Sequence, residues 1–479
     1  MNSIYLSILT VLPLLDGKGA IDFTKLRMAV VTLDLFRVDK HLLYFWEAAE
    51  HYWRMLASGD EILTIRRLFS EQDQVYITPL IAKHVADWLR SHPALQLDFT
   101  AVRDPFLVNL RNGAFNIKTG ELQEHKKDDY MTTVLDAAYI KPTGGSGSES
   151  LLLGEFCRKI FSAEGYKQKV QLLYQFIGYT ISNLVGGKKA LFMIGPANCG
   201  KSVIVNLLEL ILGTAAVSRL SLINLADRFS TANLLGKTAN LSSEIPVEAV
   251  PSKAFDVFKC LVGNDPIFAE KKGKDGFEFT FQGTLLFAGN VMPTFKSVDG
   301  TDALLSRMAL LVFDKEVPKD QRDTNMAEKL FAERNLIASR ALDQMKPLVE
   351  SNYSFAMGDA ESTMLNEYKD SVNSVASFLH CVCKFEEDAL TTKSEAYELY
   401  KKYVELIGGE AEKRSEFCKK MLVDPRVTSG GKHRLNGQGP RSCFKGIKIE
   451  VNMYDLVYDY TQDTETTYIE EDHTNEESF

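Results

Sequence analysis

The chain has 479 residues, of which 45% are hydrophobic and 25% charged, with a formal net charge of −9. This is ordinary globular composition, which speaks against a disordered or fibrous chain and leaves ample length for more than one domain, each with a buried core. The negative balance does not exclude a nucleic-acid partner, because local patches rather than net charge bind phosphates.

The apolar stretch Ile4 to Leu15 is too short to span a bilayer and has no basic residues before it, so it is expected to form a buried helix or strand. No other segment reads as a membrane span, and the protein is expected to be soluble and cytoplasmic. The first hundred residues read as amphipathic helices, with Lys40 to Leu56 and Ile81 to Leu89 as examples. Two short alternating runs then flank Asn112-Gly113, a hairpin signal. Thr143 to Ser150 is rich in Gly and Ser and marks a domain boundary. Leu151 to Ser182 reads as two helices, and Lys188 to Glu350 alternates strand-like and helical runs, the pattern of an α/β domain with a parallel sheet. Helices are expected at Val375–Lys384, Lys393–Ile407 and Arg414–Leu422, followed by a basic, Gly-rich hairpin from Thr428 to Ile449. Helices followed by such a hairpin suggest a winged helix. The expected organisation is an N-terminal helical domain (1–145), an α/β domain (151–350), a winged-helix-like domain (372–450) and an acidic, disordered tail (461–479).

Seven cysteines are scattered through the chain without a CxxC pair, which reads as free thiols in a reducing cytosol. Cys381 and Cys383 stand two apart with no second pair and are not read as a metal site.

The strongest motif is the run Gly195, Pro196, Ala197, Asn198, Cys199, Gly200, Lys201, Ser202, a full GxxxxGK[ST] match. A strand-like run, Ala190 to Ile194, precedes it, and a helical run, Val203 to Leu212, follows and ends at Gly213. Glycines let backbone N–H groups curl around phosphates, and the helix N-terminus adds partial positive charge. Lys201 would reach the β- and γ-phosphates of ATP, and the Ser202 hydroxyl would ligate Mg²⁺.

Three downstream features bear on the chemistry. Lys237 to Glu244 is a strand-like run ending in a carboxylate, placed to polarise an attacking water or to contact the metal; a surface Glu at a strand end fits the pattern alone about as well. Thr284 to Asn290 is an apolar strand ending in an amide that would hold the water or the γ-phosphate, although Asn before a turn is also common for local reasons. Arg307 stands at the mouth of the apolar run Met308 to Phe313, where a lone arginine is ordinarily just solvated.

Taken in order, these residues resemble the superfamily III helicases, specifically the poxvirus-type primase-helicases of phages and plasmids. The similarity lies in Gly195–Ser202, in Phe229 with Leu234 to Asn240 and Ser243-Glu244, in Phe287 to Asn290 with Pro293, in Ser306-Arg307, and upstream in Asn109 to Phe115 and Thr119 to Leu122. It runs from about Phe106 to Glu450. It implies an AAA+-like core, a hexameric ring moving 3′ to 5′ on single-stranded DNA, an arginine finger at Arg307 serving the neighbouring subunit, and a DNA-gripping hairpin carrying Lys271, Lys272 and Lys274. From spacing alone, that hairpin reads as a solvated charged turn. Two residues depart from the pattern: Ser243 stands where many relatives carry Asp, and Glu270 where relatives often carry Arg. No paired carboxylates or zinc ligands precede the match, so no primase activity is expected.

In the C-terminal unit, basic residues including Lys432, Arg434 and Arg441 outnumber the acids, as a DNA-docking module requires. A small packing domain with a solvated face fits equally well. The resulting expectation is an oligomeric, Mg²⁺- and ATP-dependent DNA helicase working with other replication proteins on single-stranded and origin duplex DNA. Two rivals are a replication initiator, whose ATP use serves assembly and origin melting, and a P-loop ATPase unrelated to DNA.

Overall fold

A computed structural model describes residues 6–141, 151–182, 184–246, 248–273, 275–295, 304–372, 374–406, 411–434 and 439–449. The break at Thr143–Ser150, Lys274 and the acidic tail lie outside these residues. The chain divides into two compact units, one of residues 1–298 with 306–362, the other of residues 299–305 with 363–479.

The first unit opens differently from the sequence expectation. Leu6 to Leu15 forms no regular helix or strand, only a 3₁₀ turn at Leu12–Leu14 and bridges such as Leu9 to Phe69, and Leu12 is 81% exposed. Helix α1 (Phe23–Thr32) begins where the Asp22 carboxylate accepts from the Thr24 and Lys25 amides. Lys40 to Leu56 is not a helix. Strands β1 (Phe36–Asp39), β2 (Leu42–Glu47) and β3 (Tyr52–Met55) form an antiparallel sheet, with Trp46 opposite Trp53. Lys40 and His41 both have positive φ and make a two-residue hairpin turn, and the aromatic run Leu42 to Trp46 packs better on a pleated sheet than on a helix. Helices α2 (Asp60–Arg67) and α3 (Pro79–Ser91) follow, the latter capped by Thr78 with Pro79 at its first position.

Strands β4 (Leu107–Leu110), β5 (Gly113–Asn116) and β6 (Glu121–Gln123) form a second antiparallel sheet around the expected Asn112-Gly113 turn. The N-terminal region is therefore mixed α/β rather than mainly helical. Val108, Leu110 and Phe115 share one apolar core with the central sheet, so packing joins this hairpin to the following domain.

That domain begins with helices α4 (Leu151–Ile160) and α5 (Tyr166–Ser182). Its centre is a five-stranded parallel sheet of β7 (Ala190–Ile194), β8 (Val217–Ser218), β9 (Ala239–Ser242), β12 (Thr284–Gly289) and β13 (Met308–Val312), in the order β13-β7-β12-β9-β8. Every residue of β7, β12 and β13 is buried, as in a sheet covered on both faces. Helix α6 (Lys201–Leu212) follows β7 directly and ends at Gly213, while α7 (Ser252–Gly263) follows β9. Strands β10 (Pro266–Ala269) and β11 (Phe277–Thr280) pair antiparallel as a separate hairpin. Helices α8 (Met326–Ala332) and α9 (Arg334–Asp343) complete the core. This is a mixed α/β fold whose parallel sheet fits a P-loop ATPase core.

In the second unit, helix α10 (Ser374–Cys381) stops earlier than expected, and strand β14 (Cys383–Thr392) takes over. Helices α11 (Lys393–Leu406) and α12 (Arg414–Met421) precede β15 (Thr428–His433) and β16 (Arg441–Ile449). The sheet order is β14-β16-β15, all antiparallel, and Phe378, Tyr400, Phe417 and Phe444 fill the core. Gly446 is required here: its φ is +101°, and a Cβ would lie 2.0 Å from the Arg426 carbonyl oxygen.

Candidate nucleotide and nucleic-acid sites

Because β7, β12 and β9 are parallel neighbours, their C-terminal ends share one edge of the sheet. That edge brings together the loop Gly195–Ser202 after β7, Asn290 after β12, and Ser243 and Glu244 after β9; Ala197 to Ser202 and the other three residues line a cavity of about 410 Å³. The loop needs its glycines. A Cβ on Gly195 would fall 2.2 Å from the Phe313 carbonyl oxygen, and Gly200 has φ +92° with the Phe156 ring 2.7 Å from where its Cβ would stand. Asn198, also left-handed at φ +58°, donates its side-chain amide to Glu316 at 3.3 Å, and its carbonyl accepts from the Val317 amide at 3.1 Å.

Lys201 is not exposed, as a lysine in an open loop would be; it is 8% exposed. Its ammonium donates to the carbonyl oxygens of Gly195 (2.8 Å) and Pro196 (2.7 Å), to Cys199 Sγ (3.2 Å) and to Asn290 Oδ1 (3.3 Å). Three N–H groups serve these four acceptors. Reaching a phosphate would mean exchanging main-chain carbonyls for phosphate oxygens. Ser202, Glu244 and Asn290 are exposed to the cavity, and Ser242 Oγ donates to the Glu244 carbonyl at 3.0 Å, fixing the turn that presents this carboxylate.

Several lining residues carry no motif and were not singled out from the sequence: Phe156, Lys159, Arg322, Asp323 and Met326. Arg322 donates to Glu316 at 2.8 Å and to the Val317 carbonyl at 2.9 Å, so Glu316 ties it to Asn198. Hydrogen bonds from Lys329 and the Asn325 amide hold the Asp323 carboxyl below its ordinary value.

Arg307 is not brought to this cavity. Its carbonyl accepts from the Ala190 amide at 2.7 Å, which puts it at the opposite end of β7 and β13 from the phosphate loop. Five strand residues separate the two, about 16 Å along the sheet.

On the β10–β11 hairpin, Lys271 and Lys272 are exposed, and no carboxylate pairs with either among the described residues. Glu270 pairs with Arg228 at 2.8 Å, so its charge is balanced locally. In the second unit, several basic residues are engaged: Lys419 with Glu416, Lys420 with Glu412, Arg426 with Asp424, and Lys445 with Asp388. Lys432, Arg434 and Arg441, where β15 ends and β16 begins, are exposed, and among the described residues no carboxylate pairs with them.

No group of three or more His, Cys, Asp or Glu residues forms a metal cluster among the described residues, and no described helix is long and apolar enough to cross a membrane. Two family models match the chain: D5 N terminal like over residues 81–166, and a family of unknown function, DUF5906, over residues 193–307. The second window contains Lys201, Glu244, Asn290, Arg307 and the whole β10–β11 hairpin. The protein named "Putative helicase 121R" of Invertebrate iridescent virus 3 is 27% identical over 236 residues, a match spanning 46% of this chain and 24% of that relative's length. Among solved structures, two apo forms of the NrS-1 C-terminal region align at a TM-score of 0.46, with 10% and 11% identity, covering 88% and 89% of this chain and 98% and 99% of theirs.

Proposed function

We propose, from the premise that the chain is a superfamily III helicase-like protein of the D5 kind, that it is an ATP-dependent DNA helicase acting in the replication of a phage, plasmid or other mobile element. The observation that carries this reading is the shared sheet edge, where the phosphate loop, Asn290 and Glu244 line one cavity and Lys201 touches Asn290. The strand order, with the phosphate-loop strand between β13 and β12, supports an AAA+-like core.

The cradle of Gly195 and Gly200 fits a triphosphate. Backbone N–H groups at the α6 N-terminus would hold the phosphates, Lys201 would bind the β- and γ-oxygens, and Ser202 with Glu244 would hold Mg²⁺. The metal, when bound, supplies charge neutralisation on the phosphates. Glu244 orients and deprotonates the attacking water, and Asn290 fixes that water against the terminal phosphate. Arg307 acts on the nucleotide of a neighbouring subunit, which calls for a ring, in our reading a homo-hexamer. Its place about 16 Å along the strands from its own phosphate loop supports action in trans.

Single-stranded DNA is gripped by Lys271, Lys272 and Lys274. The second unit, whose helices and antiparallel strands run in winged-helix order, docks duplex DNA through Lys432, Arg434 and Arg441. Lys432, Arg434 and Arg441, which pair with no carboxylate among the described residues, also favour a second reading, an origin-binding initiator that melts DNA without processive unwinding. ATP hydrolysis with and without single-stranded DNA, measured beside strand displacement, separates the two readings. The helicase reading expects stimulation and displacement, and the initiator reading expects duplex binding without displacement.

A further inference from the structure

A second cavity, of about 470 Å³, shares no lining residue with the one at the phosphate loop. One wall comes from the N-terminal region, with Lys40, Tyr44, Phe99 and Arg103, and the facing wall from the turn end of the β10–β11 hairpin, with Lys271 and Phe277. Its size falls within the ~300–1,000 Å³ range of small-molecule sites.

The Arg103 guanidinium is the unusual group. It is half-buried, and no carboxylate lies within ion-pair distance of it among the described residues. The acids on the lining, Asp39, Asp275 and Glu278, form no ion pair with it among the described residues. Burial pushes its pKa down, and the Tyr44 phenol offsets this only in part. A cation partly withdrawn from water, with no counter-ion among the described residues, is a place where a bound anion would be favourable. The planar fork of arginine suits a phosphate. The apolar part of the lining joins Leu42, Met55, Leu234 and Leu235 to four aromatic rings: Tyr44 and Phe99 lie 4.6 Å apart by ring centroids, and Phe277 and Phe279 5.8 Å apart. Cations beside flat aromatic faces are the chemistry that holds single nucleotides of an unpaired strand, by phosphate contact and base stacking.

The geometry points to this cavity as a nucleotide-binding site separate from the phosphate loop, with a phosphate on Arg103 and a base against Tyr44 and Phe277. It rests on the reading that the chain acts on single-stranded DNA. Lys271 belongs both to the hairpin and to the cavity, so a strand gripped at the hairpin delivers one nucleotide into it. Hairpin movement would then be felt by the N-terminal region through this nucleotide.

The test uses the full chain, a fluorescein-labelled oligothymidylate and dTMP, which lacks the phosphates that Lys201 serves. Arg103→Ala should weaken oligonucleotide binding about tenfold, the ~1.4 kcal/mol expected of one charged contact. It should also lower the log–log salt slope by about 0.7, and Arg103→Lys should recover part of the loss. A 5-iodouracil oligonucleotide should crosslink to the peptide bearing Tyr44 or Phe277, and Arg103→Ala should remove that adduct. Competition by dTMP that depends on Arg103 would assign the site to free nucleotides as well as strands; competition absent, with the oligonucleotide effect present, assigns it to strands alone. Equal oligonucleotide and dTMP binding by wild type and Arg103→Ala, with crosslinks only elsewhere, overturns the site and leaves the helicase reading standing. Wild type that binds no oligonucleotide removes the helicase reading, and the site is then overturned unless dTMP binds in an Arg103-dependent way. Should Arg103→Ala lower the melting temperature, Phe277→Ala, at a half-exposed position, repeats each comparison.

Discussion

The Lys201 ammonium donates to the Asn290 side-chain oxygen at 3.3 Å, joining the phosphate loop after β7 to the end of the neighbouring strand β12. The contact places the residue expected to bind phosphate and the residue expected to hold water within one hydrogen bond of each other, across 89 positions of sequence.

Lys201→Ala should abolish ATP hydrolysis, because the positive charge that stabilises the transferring phosphoryl group is gone. The fold should survive. The carbonyls of Gly195 and Pro196 lose their donor, which costs about 1 kcal/mol and is read as a small fall in melting temperature. Turnover near the wild-type rate would contradict the assignment.

Glu244→Gln should bind ATP with near-normal affinity and hydrolyse it slowly, since the amide keeps the shape and loses the base. Asn290→Ala should also slow hydrolysis, and it removes one of the four acceptors around Lys201. Rapid turnover by Glu244→Gln, together with a silent Ser243→Ala, would leave the water without an assigned base.

Asp314 tests the scaffold behind the site. Its carboxylate accepts from Lys169 at 2.5 Å and from the Ser162 amide at 2.8 Å, and the Lys169 side chain is only 5% exposed. Burial alone would raise the Asp314 carboxyl, but Lys169 and Ser162 outweigh it and hold it below its ordinary 3.8. A depressed folded value stabilises the native state above the unfolded value and loses that contribution as pH falls through the folded one. Asp314→Asn leaves Lys169 without its counter-ion. Because Asp314 is 27% exposed, the cost should lie at the lower end of the ~3–5 kcal/mol expected for a broken buried pair. In denaturant melts the gap to wild type should be full near neutrality and should close below about pH 4.

Arg307→Ala should bind ATP, assemble and fail to hydrolyse, with a loss approaching the ~10³–10⁵ typical of arginine fingers. Once subunit exchange is shown, mixing it with Lys201→Ala should restore some ATPase, because some interfaces then pair an intact Lys201 with an intact neighbouring Arg307. A mixture without rescue, or a fully active monomer, would count against action in trans.

The phosphate loop was legible in the sequence because everything it needs is local: strand, glycine pattern and helix follow one another from Ala190 to Gly213. The β4–β5 hairpin was legible for the same reason, through Asn112-Gly113. The β1–β2 hairpin was not. Its turn uses Lys40 and His41 at positive φ where Gly or Asn is usual, and the apolar spacing of Lys40 to Leu56 also satisfies a helix. The burial of Lys201 depends on Cys199 and on Asn290, and only the folded sheet brings Asn290 near. Phe156, Arg322 and Met326 reach the cavity from segments with no motif. The C-terminal basic run overstated its free charge, because Glu412, Glu416, Asp424 and Asp388 pair with four of its cations.

Changing Lys271 and Lys272 to Ala should reduce DNA-stimulated ATPase while leaving hydrolysis without DNA in place. Each lost phosphate contact should flatten the salt dependence of single-strand binding by about 0.7 in log–log slope. An unchanged affinity and slope would make the β10–β11 tip a solvated turn.

The most direct measurement of the central claim is strand displacement on a forked duplex by wild type and Lys201→Ala, with ATP hydrolysis followed in the same reactions. The account predicts that wild type hydrolyses ATP faster with single-stranded DNA and separates the strands only when ATP is present, while Lys201→Ala does neither. ATP hydrolysis indifferent to DNA, with no strand separation, would contradict it.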